Sequence, residues 1–178
     1  MVYRRGVTLL EMMIVLGLVT ILVAVTAAYN KGIQRQVVIT REHGIVLGMF
    51  VKARSAGLAI PKGDPGELIC GFGIHVDAAS KTFTYFKDLG TAPADCTTAD
   101  LKYDGPSELI SQRVLADDVT VTSDMSDIVY VPPFGKVYID SLDARTPATV
   151  VIASASAGIS KGINANVFGQ ITEFQPAP

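Results

Sequence analysis

Between Val7 and Ala28 the chain carries one charged side chain, Glu11, and is otherwise almost wholly apolar. As a helix these 22 residues extend about 33 Å at about 1.5 Å per residue. That matches the hydrocarbon core of a bilayer, about 30 Å. A helix that is apolar all round has no face to offer water, so lipid or other protein must cover it. Arg4 and Arg5 precede the run. Basic residues stay on the cytoplasmic side, so the bulk of the chain is expected outside. The overall apolar fraction of 49% is ordinary, and the distribution carries the argument. A net charge of −2 argues against a general nucleic-acid binder, which needs a basic excess.

Three kinds of N-terminus fit such a run: a plain signal anchor, a cleaved secretory signal peptide, and a processed helix that is later assembled. Thr26-Ala27-Ala28 supplies the small residues that a signal peptidase wants. Glu11 discriminates. A carboxylate deep in a membrane costs up to about 2.5–3.5 kcal/mol, less near an end. Neither an anchor nor a signal peptide has a use for it, whereas an intramembrane acid usually has a partner.

Arg5-Gly6-Val7-Thr8-Leu9-Leu10-Glu11 resembles the class III signal of type IV pilins and type II secretion pseudopilins. There a basic leader ends in Gly, a Thr-Leu-x-Glu-type stretch follows, and a long apolar helix comes next. The resemblance implies cleavage by a prepilin peptidase after Gly6, N-methylation of the new N-terminus, and an assembly role for Glu11. The usual residue after the Gly is Phe, and here it is Val7. Cleavage exposes an ammonium at Val7, which a neighbouring subunit's Glu11 can neutralise in an apolar filament core. Such a pair sets axial register, while packing of the apolar helices supplies stability.

Beyond Tyr29 the pattern becomes amphipathic. Ile33, Val37, Leu47 and Val51 recur at helical spacing, as do Val38, Ile45 and Met49, with charges between them. The first proline is Pro61, so one helix is expected from about Val7 to Gly57, its second half packing one face on a sheet. Gly17 is a candidate bend. The turn-rich Pro61-Lys62-Gly63-Asp64-Pro65-Gly66 ends it. Nine short strand-like runs follow: 68–76, 82–86, 109–115, 119–121, 128–131, 136–139, 148–152, 162–167 and 170–174. Turn residues between them require antiparallel pairing. The expected fold is α+β, a long helix on antiparallel sheet. Its organisation is a leader 1–6, a transmembrane and filament-core helix 7–29, an amphipathic half 30–60 and a β-rich head 61–178. Within the head, Ala53-Arg54-Ser55, Ile128-Val129-Tyr130-Val131-Pro132-Pro133-Phe134-Gly135 and Gly162 to Ile171 are similar to segments of minor pilins and pseudopilins of the GspH/FimT type.

Other chemistry finds little footing. Cys70 and Cys96 are either two free thiols or one disulfide. An oxidising compartment favours the disulfide, at about 3–4 kcal/mol in the chain-entropy account. With those two cysteines and with His43 and His75 as its histidines, the chain lacks an ordinary zinc pattern. Gly71-Phe72-Gly73 lies in a strand-like run, without the helix that a nucleotide loop needs. No acid, base and nucleophile are placed together, so no enzyme activity and no cofactor are expected. Asp117, Asp118, Asp124 and Asp127 are weak calcium candidates without EF-hand spacing.

The reading is a structural subunit, a minor pilin or pseudopilin of a type IV pilus or type II secretion filament. It sits in the bacterial inner membrane with its head outside. Its expected partners are other such subunits, prepilin peptidase, the inner-membrane assembly platform and membrane lipid. The alternative is a monomeric, membrane-anchored or secreted envelope binding domain.

Overall fold

The computed structural model describes residues 8–59, 68–90, 96, 99–143 and 146–176. The leader with Gly6 and Val7, the turn expected at 61–66, and the last two residues of the tail lie outside them.

One helix, α1 (Leu9–Gly57), runs unbroken for 49 residues, which is about 73 Å at about 1.5 Å per residue. It passes through Gly17 without interruption. Thr8 caps it, with Oγ1 accepting from the Glu11 amide at 3.3 Å. Thr8-x-x-Glu11 is thus a capping-box sequence, and Glu11 lies in the first turn, where the helix dipole favours an acid. At the far end the Leu58 amide donates to the Arg54 carbonyl at 3.1 Å.

The strands are β1 (Ile69–Asp77), β2 (Thr82–Leu89), β3 (Leu109–Val114), β4 (Thr120–Ser123), β5 (Asp127–Val131), β6 (Lys136–Ile139), β7 (Leu142–Asp143), β8 (Ala148–Ser154), β9 (Ile159–Ala165) and β10 (Ile171–Phe174). Every pairing is antiparallel. They form a six-stranded sheet, β3-β2-β1-β5-β6-β7, and a four-stranded one, β10-β9-β8-β4. Nine of the ten match the strand-like runs in the sequence. The tenth, β7, returns through Asp140 and Ser141, both at positive φ. That geometry suits a two-residue hairpin, but Asp-Ser is not the Asn-Gly or Asp-Gly that announces one.

The head is the second half of α1 laid across both sheets. Ile39, Val46, Phe50 and Ala53 from the helix meet Ile74, Phe83, Ile128 and Tyr130 of the larger sheet and Val150, Ile152 and Ile163 of the smaller. The buried stripe 39, 43, 46, 50, 53, 57 keeps helical spacing. This corrects the face expected from sequence. Ile33, Val37 and Val51 are exposed, and Leu47, Val38, Ile45 and Met49 lie at the edges of the buried face. The inward face includes His43 and Glu42, which a purely apolar criterion passes over. Two glycines let β1 sit close to its neighbours. A side chain at Gly71 would meet Val129, and one at Gly73 would meet the Phe86 ring.

Two buried carboxyls are treated oppositely. Glu42 accepts from Arg113 of β3, its two oxygens 2.8 and 3.0 Å from Nη2 and one of them 3.3 Å from Nε. This bidentate pair ties the helix to the edge of the larger sheet. Losing one partner of a fully buried pair costs about 3–5 kcal/mol. Here the Arg113 side chain is 37% exposed, so water screens the loss. Arg113→Ala is therefore expected to destabilise the head by about 1–3 kcal/mol, read from thermal unfolding of the full chain in detergent. A change within about 0.5 kcal/mol, the usual range for a surface site, would show that the pair is ornamental.

Asp88 has no such cation among the described residues. It is 1% exposed and its Oδ2 has no hydrogen-bond partner. Burial first, then the carboxylates of Glu108, Asp100 and Asp104, push its pKa up to about 7, against a hydrogen bond from the Leu101 amide. The folded state thus holds a proton that the unfolded carboxyl releases near its ordinary value of 3.8. Stability from this group falls as pH rises from about 4 to about 7 and is level above that. Asp88→Asn is expected to flatten that part of the pH–stability curve and to raise stability at pH 8, measured by urea unfolding at a series of pH values. An unchanged slope would overturn the assignment.

Candidate assembly helix and envelope head

The first half of α1 is the surface least suited to water. Leu9–Ala27 has a mean hydropathy of 2.5, and none of it is buried by the rest of the chain. Its two threonines past the cap satisfy themselves. Thr20 Oγ1 donates to the Gly17 carbonyl at 2.8 Å, and Thr26 Oγ1 to those of Leu22 and Val23 at 2.9 and 3.0 Å. Glu11 is therefore the one side chain in the segment whose charge has no partner within its own helix among the described residues. The segment can cross a bilayer or pack against other apolar helices.

Where the helix enters the head, Arg35 Nη1 donates to the Ser156 carbonyl at 3.0 Å. Exposed Ile33 and Val37, with Gln36, Thr40 and Arg41, line a shallow depression of about 440 Å³ on the outward face. The apolar stripe that sequence assigned to the head thus continues the exposed surface of the apolar segment Leu9–Ala27.

Cys70 and Cys96 are joined, with Cα atoms 5.3 Å apart at a sequence separation of 26. The bond fastens the start of β1 to the connection between β2 and β3. Glu108 organises the other end of that connection. Its Oε1 accepts from the Leu89 amide at 3.2 Å and its Oε2 from the Asp104 amide at 2.9 Å.

The four aspartates read as weak calcium ligands are not gathered. Asp117 and Asp118 are exposed on the turn before β4. Asp124 accepts from the Thr149 amide at 2.7 Å. Asp127 is buried, 3.0 Å from His75 Nδ1 and 3.3 Å from the Tyr103 amide. No group of three or more His, Cys, Asp or Glu is arranged to hold a metal among the described residues. The hydrogen bond to Asp127 raises the His75 pKa above 6.5, against partial burial. His75 also lies against the Tyr103 ring. The pair fastens β1 to β5. Sequence reading passed over Asp88, Glu108, Glu42 and Arg113. No local motif marks them, because each acquires its role from a partner distant in the chain.

Residues 1–27 match the family model of the prokaryotic N-terminal methylation motif. A sequence comparison with curated proteins finds no match. Among solved structures, the fold is similar to that of the minor pseudopilin EpsH from the type 2 secretion system of Vibrio cholerae. The TM-score is 0.52 at 12% identity, over 79% of this chain and 99% of that one. At that identity the likeness is one of fold. The chain therefore joins a prokaryotic N-terminal methylation motif to a pilin-like head, a long helix packed on antiparallel sheets.

Proposed function

We propose that this chain is a structural subunit, a minor pilin or pseudopilin, of an envelope filament of the type IV pilus or type II secretion class. The observation that carries the proposal is a methylation-motif N-terminus continuous with a helix that is wholly uncovered at one end and forms the core of the head at the other. A membrane anchor alone has no need of helical continuity between span and head. A subunit pulled from the membrane into a filament does, because the same helix must exchange lipid for neighbouring helices while keeping its head attached.

In this account prepilin peptidase cuts after Gly6 at the inner membrane, the N-terminus of Val7 is methylated, and the head stays outside the cytoplasm. Two roles converge on Glu11. Its place in the first turn suits the helix dipole. In a filament its carboxylate also receives the Val7 ammonium of the adjacent subunit. The second role makes the residue an assembly determinant beyond a helix start.

The variants Gly6→Ala and Glu11→Ala separate the steps. Gly6→Ala is expected to leave uncut precursor in the membrane. Glu11→Ala is expected to insert and be cut normally, then to enter sheared filaments at least tenfold less than the parent. Leaving one charge of a buried pair unmatched costs about 3–5 kcal/mol, more than that factor requires. Glu11→Gln keeps a polar group in the first turn but not the charge, so it should behave like the Ala variant. Normal filament entry of both Glu11 variants would contradict the charge-pair role.

A further inference from the structure

Three segments singled out by their resemblance to minor pilins have no part in the span: the end of α1 after Ala53, the Pro132-Pro133-Phe134-Gly135 hairpin and the turn between β9 and β10. They are far apart in sequence, and the fold brings them to one pole. Tyr130 is the hub, fully buried between them. Gly57 of the helix lies so close to it that any side chain there would overlap the Tyr130 backbone. A Cβ at Gly169 would come within 2.9 Å of Val137 and 3.2 Å of the Tyr130 ring, and one at Gly135 within 2.8 Å of Leu58. Gly135 and Gly169 also take positive φ, 62° and 72°, where other residues are strained.

This close packing puts large apolar side chains outside. Phe134 is 88% exposed, Phe168 78% and Leu58 52%. The turn carrying Phe168 is braced. Asn166 Oδ1 accepts from the amides of Phe168 and Gln170 at 3.0 and 2.9 Å, and Asn166 Nδ2 donates to Gln170 Oε1 at 2.9 Å. None of residues 56–59, 130–135 or 166–170 is charged. Aromatic enrichment with depleted charge is the composition of an interface core, and aromatics on braced turns lose little entropy on docking.

We propose that this pole docks on the head of a neighbouring pilin-like subunit, Phe134 and Phe168 entering an uncharged apolar surface of that partner. The inference rests on the filament reading above. Position and area select the occupant. The pole lies at the end of α1, 30 residues past Ala27 and so about 45 Å beyond the span, out of reach of the anchoring bilayer. The three side chains offer about 400 Å², given about 150–250 Å² for a whole aromatic. A free binary complex needs about 800 Å² per partner. The pole is therefore too small to hold a freely diffusing protein. It suits a partner already held alongside by its own apolar helix, where the effective concentration is high.

The test places a photo-crosslinking amino acid at position 134, 168 or 37 of the full-length chain, in cells of its source organism, with adducts identified by mass spectrometry. Adducts from 134 and 168 to a protein that itself carries an N-terminal methylation motif are expected. The 134 adduct should fall at least fivefold in Phe168→Asp, with the amount of mature subunit unchanged. Adducts from 37 but none from 134 and 168 would overturn the docking pole and leave the filament reading standing. Adducts from 134 or 168 only to lipid or to proteins without that motif would overturn it too. Silence at all three positions would overturn both.

Discussion

Burial of one stripe of α1 against the two sheets is the contact on which everything else in this chain depends. Ile39, Val46, Phe50 and Ala53 form the centre of the head, and the same helix, uninterrupted, is the apolar rod that precedes it. Fully burying a Val, Ile or Phe side chain is worth about 1.5–3 kcal/mol, so Ile39, Val46 and Phe50 hold the head to the rod firmly. A force or displacement applied to the N-terminal half therefore reaches the head through regular backbone hydrogen bonds rather than through a linker.

That arrangement divides the outer surface into parts with different demands. Over Leu9–Ala27 every side needs apolar cover. From Ile33 to Val51 the side turned away from the sheets needs partial cover, because Ile33, Val37 and Val51 remain exposed there. At the far pole, Phe134 and Phe168 are the most exposed large apolar residues of the head, with Leu58 beside them, while Val114 and Leu142 are exposed on the larger sheet. Between these surfaces the head is fastened by local devices: the Cys70–Cys96 bond, the Glu42–Arg113 pair and the His75–Asp127 contact. Each joins segments distant in sequence, and each secures a strand or connection at the rim of the core.

The division between rod and head was legible in the sequence, since it rests on periodicity. An unbroken apolar run, a switch to amphipathic spacing after Tyr29 and short strands between turn residues are all local signals. The apolar first half of the helix, nine strands and the turn at Pro132 to Gly135 between β5 and β6 follow from them. The face of the helix that meets the sheets was not legible, because two apolar stripes compete and Glu42 and His43 sit within the buried one. A buried acid reads as surface until Arg113, 71 residues away, is brought to it. Asp88 is hidden for the same reason, since nothing beside it in the chain shows that Glu108, Asp100 and Asp104 will crowd it. The convergence of the helix end, the hairpin and the last turn on Tyr130 is likewise a property of topology.

On the function proposed above, the N-terminal helix is a processed assembly element. Intact-mass and terminal-peptide mass spectrometry of the mature protein from envelope fractions tests it most directly. The expected mature chain begins at Val7, with its amino group methylated and Glu11 retained. A mature chain that begins at Tyr29, or an uncut chain that keeps Met1 to Gly6, would contradict it.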